Sequence, residues 1–412
     1  MFQLYFKDHF FAPEDENSQI YVWAGFAVTF LARPIGAWFF GRFADRHGRK
    51  ASLTLSVTIM AIGSLLIGLL PTREAIGLWA VVLLMTLRLV QGFATGGEYA
   101  ASATYMSEAA TKNRRGFFSS FQYVTLVGGH VLAQLTLLVL TSVLTKDQLT
   151  DFGWRIPFFI GGIAAVIVFW LRKTMDESLS EEQLAAVRSG EAARSGSVVE
   201  LFTRYWKPLL ICFLFTLGGT VAFYTYSVNG PAVIKATFKD TDPMLANWIN
   251  LASLAFLMVI QPIGGLISDR IGRKPVFLFF GVLGVLWTWF MITNLPQQKD
   301  GGMAFLMICV SYIILTGYTS INAIFKAELF PAHIRALAVG LGYGLANSIF
   351  GGTSPMIYEW AKKEGRVDMF IVYVTACIAI TLITTLVVMK NKRATHLDLE
   401  QGHAYEEDPT RV

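Results

Sequence analysis

Eleven stretches of this chain are each long and apolar enough to cross a lipid bilayer, and they restrict its possible folds more than any other feature. A helix needs about 20 mostly apolar residues to span the hydrocarbon core. The stretches are 19–43, 51–71, 77–106, 117–144, 155–172, 206–230, 244–267, 275–295, 303–329, 337–362 and 369–389. Strands of a membrane barrel would be half that length and would alternate polar with apolar residues, which these do not. Only 15% of residues are charged, against roughly 25% in ordinary soluble domains, and the mean hydropathy is +0.50. The reading is an all-α polytopic membrane protein, with the bilayer as its first partner. The three cysteines, Cys212, Cys309 and Cys377, lie far apart inside apolar runs, which excludes a secreted disulfide scaffold. A net charge of +5 implies no nucleic-acid partner in such a chain; what matters is where the charges fall.

Basic residues crowd one set of loops. Arg42, Arg46, Arg49 and Lys50 follow the first span, and Lys112, Arg114 and Arg115 follow the third. Arg270, Arg273 and Lys274 follow the seventh; Lys390, Lys392 and Arg393 follow the last. The alternate loops are short, and their bases are matched by acids. The positive-inside rule makes the first set cytoplasmic, together with the C-terminus. An odd number of spans then leaves Met1 outside, and residues 1–12 do not have the pattern of a signal peptide.

The chain also repeats itself. Gly41, Asp45, Arg46, Gly48 and Arg49 recur as Gly265, Asp269, Arg270, Gly272 and Arg273, an offset of 224. Glu108 and Arg115 recur as Glu328 and Arg335, an offset of 220. Two halves related by parallel duplication are a transporter signature, with the binding site between them near the midplane. The second copy of the loop follows two spans of its half, the first only one. The expected architecture is therefore two pseudo-symmetric six-helix bundles with most of helix 1 missing and residues 1–12 as its stub. The amino-terminal bundle is 1–172, a cytoplasmic linker 173–205, the carboxyl-terminal bundle 206–389 and a cytoplasmic tail 390–412.

The paired G-x-x-x-D-R-x-G-R-K loops resemble the signature of the major facilitator superfamily. In these loops Asp45 and Asp269 are placed to pair with arginines or cap a helix end, latching the cytoplasmic side. Glu108, Arg115, Glu328 and Arg335 are expected to join that gate. Within the superfamily, Arg33-Pro34-Ile35-Gly36, Arg88 through Gln91-Gly92, Gly96-Gly97-Glu98-Tyr99, Arg114-Arg115-Gly116-Phe117 and Trp154-Arg155-Ile156-Pro157 look like the metabolite:proton symporter family. The resemblance runs over nearly the whole chain. It implies proton-driven uptake of a dicarboxylate such as 2-oxoglutarate across a bacterial-type inner membrane, by a monomer.

Ionisable side chains at bilayer depth are costly and point to function. Counted from their span ends, Arg33, Arg88 and His130 all fall near the midplane of the amino half. Three potential cations at one level suit a dianion, and a guanidinium can grip a carboxylate through two parallel hydrogen bonds. The alternative for Arg33, next to Pro34, is to satisfy freed backbone carbonyls; for Arg88 it is a structural role, and for His130 a bridge between helices. Glu98 is the proton-coupling candidate, or else the structural partner of an arginine near the cytoplasmic end. The carboxyl half offers Tyr224, Tyr226, Asn322, Tyr343 and Asn347 to orient a keto acid, or to bridge helices. No P-loop, metal cluster or hydrolase nucleophile motif is present, so the sequence supports no enzyme and calls for no cofactor. Citrate, shikimate or an osmolyte such as betaine remains open as the substrate, as does a receptor-like or transport-incompetent chain.

Overall fold

The computed structural model describes residues 9–10, 25, 28–174, 196–389 and 395–397. Most of the stub expected at 1–12, of the linker and of the tail lies outside the described residues. Among the described residues eleven long helical columns follow one another. They are α1 (Arg33–His47), α2 (Arg49–Leu69), α3 (Leu78–Glu108), α4 (Arg115–Val143) and α5 (Ile156–Lys173). Then come α6 (Trp206–Tyr224), which runs through a π-helical turn at Thr225–Asn229 into Gly230–Thr237, α7 (Pro243–Ile271) and α8 (Arg273–Asn294). Column α9 (Gly301–Thr319) resumes as Asn322–Glu328. Column α10 (Arg335–Ala346) is interrupted by a second π turn at Asn347–Gly351 and continues as Ser354–Lys363; α11 is Val367–Val388. Among the described residues, nine of the columns are long and apolar enough to span a membrane unaided. The exceptions are α1, described as a helix of only 15 residues, and α10, broken at its middle.

The two repeated loops fold alike. Gly48 and Gly272 are the single residues between α1 and α2 and between α7 and α8, at φ of 94° and 95°. A side chain at that backbone angle is strained, so glycine lets one helix end and the next begin within one residue. Within the amino half α3 packs against α1 and α2, and α2 against α5; within the carboxyl half α11 packs against α6 and α8, and α9 against α7 and α8. The halves meet chiefly along α4 with α7 and α1 with α10, and α3 also packs against α10 and the second part of α9. The breaks in the middle of α6, α9 and α10 lie in the carboxyl half. Broken backbone at membrane depth is tolerated where it is buried in protein or lines a cavity.

At the end opposite the basic loops, His9 Nε2 lies 2.5 Å from the Thr150 carbonyl and its ring stacks on Trp154. Phe10 meets the same indole edge-on and is buried with Ile67, Leu70, Ala80 and Leu84. These two residues thus pack on the amino-half helices at that end.

Candidate transport path

The basic end is closed by two matching contacts between the halves. The amides of Ala336 and Leu337, in the first turn of α10, donate to the two carboxylate oxygens of Asp45 at 3.1 and 2.9 Å. The amides of Gly116 and Phe117, in the first turn of α4, donate to those of Asp269 at 2.7 and 2.9 Å. Neither helix has a capping side chain of its own. Each aspartate therefore caps, from another helix, exposed N–H groups at the positive end of a helix dipole. Close approach makes this possible. A Cβ on Gly41 would sit 2.7 Å from the Leu337 Cα, and one on Gly265 would sit 2.9 Å from the Phe117 Cα.

Charges surround both caps. Arg49, fully buried, bonds Asp45 at 2.6 Å and Glu108 at 3.1 Å, and donates to the Ala332 carbonyl. Glu108 also pairs with Arg335 at 2.8 Å, across the halves. In the second copy Arg273 bonds Asp269 at 2.9 Å and lies 3.6 Å from Glu328. Arg115, also buried, donates to the Leu397 carbonyl near the chain's end. Buried ion pairs contribute little net stability, because desolvation opposes them, but breaking one is costly. That asymmetry suits a latch. Arg46 and Arg270 flank the two caps, half-buried and exposed respectively.

Above the latch lies a cluster that brings together two of the candidates, Asn322 and Tyr343, around a lysine that the sequence pattern does not single out. Lys326, with no exposed surface, donates to Asn322 Oδ1 at 2.9 Å and to the Tyr99 hydroxyl at 3.1 Å. Tyr99 donates to the same Asn322 oxygen at 2.9 Å. The ammonium lies 4.6, 5.3 and 5.9 Å from the ring centroids of Tyr343, Tyr99 and Tyr318. Tyr99, from the amino half, stacks on Tyr343, from the carboxyl half, at 3.4 Å between centroids. The break between Thr319 and Asn322 directs this segment of α9 to the middle. Lys326 sits two residues before Glu328, in the last turn of a span, where a basic residue reads as a loop charge. Its burial among tyrosines has no signature in one sequence.

The structure separates the three cations that the sequence places at one level. A Cβ on Gly96 would collide with the Arg33 backbone, so Arg33 and Gly96 share a depth. Tyr99 is then about 4.5 Å away along α3, whereas Arg88 is about 12 Å the other way. The misplacement arises because α3, at 31 residues, is about 46 Å long and overruns the hydrocarbon core; depth counted from its start is wrong. Arg33 lies in the central region, its guanidinium 3.7 Å above the Phe30 ring and its buried Nε without a hydrogen-bond partner among the described residues. His130 is not in the Lys326 cluster; its ring is 6.3 Å from that of Phe223.

Other candidates divide similarly. Tyr224 meets Phe30 from the other half edge-on. Tyr226, two residues on, points away: it is wholly buried in the carboxyl half and bonded to Thr288 at 2.6 Å. Two residues along a helix are about 200° apart, so the pair could not share a face. Asn347 opens the π turn in α10, buried, with its amide nitrogen lacking a partner among the described residues. Glu98 is committed elsewhere, to Arg172 at 2.7 Å, with its side chain 30% exposed. Of its two sequence readings, the arginine partner is the one the geometry matches.

Two helical halves joined along α4–α7 and α1–α10, latched at one end around a buried polar centre, define a major facilitator transporter. The sequence profile of the sugar (and other) transporter family matches residues 1–183 and 176–402, and the chain belongs to that family. It is 40% identical to the alpha-ketoglutarate permease of Escherichia coli K12 over 395 residues, 96% of this chain and 90% of that one. It is 29% identical to the proline/betaine transporter of the same strain, over 92% of this chain and 77% of the relative. Its fold matches that of the proton:xylose symporter XylE bound to 6-bromo-6-deoxy-D-glucose, with a TM-score of 0.79 at 18% identity over 98% and 94% of the two chains. The protein is a multi-pass membrane transporter of small molecules; its relatives are transporters, not enzymes.

Proposed function

We propose that this protein carries a small dicarboxylate such as 2-oxoglutarate together with protons, by alternating access, as a monomer in the inner membrane with its C-terminus cytoplasmic. The two bundles, 1–172 and 206–389, move as units about the site between them, and the linker joins them on the cytoplasmic side. The observation that carries the reading is the pair of aspartate caps, Asp45 on α10 and Asp269 on α4. Both must break for the basic end to open, and matching latches at pseudo-equivalent places suit a two-state carrier. The gate comprises these aspartates with Gly41, Gly265, Gly48, Gly272, Arg46, Arg49, Arg270, Arg273, Glu108, Arg115, Glu328 and Arg335. The substrate class follows from the relative named an alpha-ketoglutarate permease.

An osmolyte such as betaine is the competing reading, favoured by the named proline/betaine transporter and by the tyrosine faces at the centre. Aromatic rings do attract quaternary ammonium groups. Here, however, those faces already hold the Lys326 ammonium. The test is uptake of labelled 2-oxoglutarate into vesicles containing the purified protein, with unlabelled competitors. Glutarate should compete and betaine should not. Uptake of betaine without any uptake of 2-oxoglutarate overturns the assignment.

A further inference from the structure

Lys326 presents a physical problem. Its ammonium is fully buried, and its two hydrogen-bond partners, Asn322 and Tyr99, are both neutral. Among the described residues no carboxylate lies within ion-pair distance of it. A buried charge with only neutral partners is expensive, even with aromatic faces around it. It is tolerable where a counter-ion arrives from outside. Arg33, in the other half, is in a similar position: its guanidinium rests on the Phe30 ring, its Nε is buried and unpartnered, and it makes no ion pair among the described residues.

The two cations flank one ring. Tyr343 lies 4.6 Å from the Lys326 ammonium, and its electrostatic neighbours include Arg33 and Tyr224. A Cβ on the next residue, Gly344, would sit 3.7 Å from the Arg33 carbonyl oxygen. Along α3, Arg33 and Tyr99 differ in depth by about 4.5 Å, less than one helical turn. One cation therefore comes from each half, at nearly one level, with Tyr343 between them.

We infer that Lys326 and Arg33 form a two-cation clamp that takes one carboxylate of a small dianion each, so that the bound substrate bridges the two halves. This rests on, and deepens, the dicarboxylate reading. Lys326 exchanges its bonds to Asn322 and Tyr99 for the substrate carboxylate. That exchange also removes the ammonium that braces the Tyr99–Asn322 contact between the halves, which ties occupancy to bundle movement. Arg33 supplies the planar fork for the other carboxylate.

The readout is the preference for two carboxylates over one. Binding of 2-oxoglutarate and of 2-oxopentanoate, in which a methyl replaces the distal carboxylate, would be measured on the purified full chain by calorimetry. The wild type should prefer the dianion by roughly tenfold to hundredfold, the value of one charge-assisted hydrogen bond. In Lys326→Met, and separately in Arg33→Gln, the preference should collapse to within about threefold, because a single cation engages a single carboxylate. Lys326→Gln, which keeps a polar group for Tyr99, should behave as Lys326→Met does and serves if the methionine variant fails to fold. A Lys326 variant that weakens both ligands equally and keeps the wild-type preference overturns the clamp and makes Lys326 structural. A wild type that binds no dicarboxylate overturns the substrate reading itself, and the clamp with it.

Discussion

Replacing Asp45 by asparagine should open the basic end. The carboxylate accepts from two α10 amides at 3.1 and 2.9 Å and from Arg49 at 2.6 Å. Asparagine can offer one oxygen to one amide and turns its own NH2 toward the other. One charge-assisted hydrogen bond contributes about 1.5–3 kcal/mol, and a carboxylate at a partly buried helix N-terminus up to about 2 kcal/mol. These overlap, so the loss is about 2–3 kcal/mol, which shifts the closed-to-open ratio roughly 30- to 150-fold. Asp269→Asn should act similarly, since its cap on Gly116 and Phe117 has the same form. Spin labels at positions 47 and 270, exposed at the basic end and one in each half, would report the opening as a longer interlabel distance by double electron–electron resonance. Substrate affinity should change less than the open population does, because both aspartates sit well below the central cluster. An unchanged distance distribution in the Asp45→Asn, Asp269→Asn double variant refutes the latch.

Two further outcomes follow from the geometry. Gly265→Val places atoms where the Phe117 backbone lies, about 2.9 Å from the first added carbon; it should hold the basic end open and stop net transport at wild-type membrane levels, while Gly302→Val, with only the Asp300 carboxylate nearby, should leave transport intact. Arg88→Lys should leave 2-oxoglutarate affinity within about threefold of wild type, whereas Arg33→Lys should weaken it at least tenfold through loss of the fork; equal losses in calorimetric titrations would return Arg88 to the site.

The helices were legible in the sequence because a bilayer demands length and apolarity, and both are written locally. So was the doubled loop, because Gly48 and Gly272 are needed for their backbone angle and Asp45 and Asp269 recur at one offset. What the aspartates bind was not legible in detail. Their partners are backbone amides about 290 and 150 residues away, and an amide leaves no mark in sequence. Depth failed for a different reason. A 31-residue helix extends beyond the apolar layer, so counting from its start puts Arg88 level with Arg33, whereas the packing of Gly96 against the Arg33 backbone sets the two about 12 Å apart in depth. Proximity in sequence groups Tyr224 with Tyr226, although helical geometry alone separates them. Lys326 escaped because a lysine in the last turn of a span resembles a topological charge; only folding shows three tyrosine rings closing over it.

The central claim, that protons and a dicarboxylate cross together, is tested most directly by watching the protons. Vesicles containing the purified protein and an internal pH indicator, with no imposed gradient, would be mixed with 2-oxoglutarate outside at a fixed external pH. The account predicts that the lumen acidifies at a rate that saturates with 2-oxoglutarate, and that the Gly265→Val variant shows no such change. Saturable uptake of labelled 2-oxoglutarate with no movement of internal pH, under valinomycin and potassium to clamp the membrane potential, would contradict it.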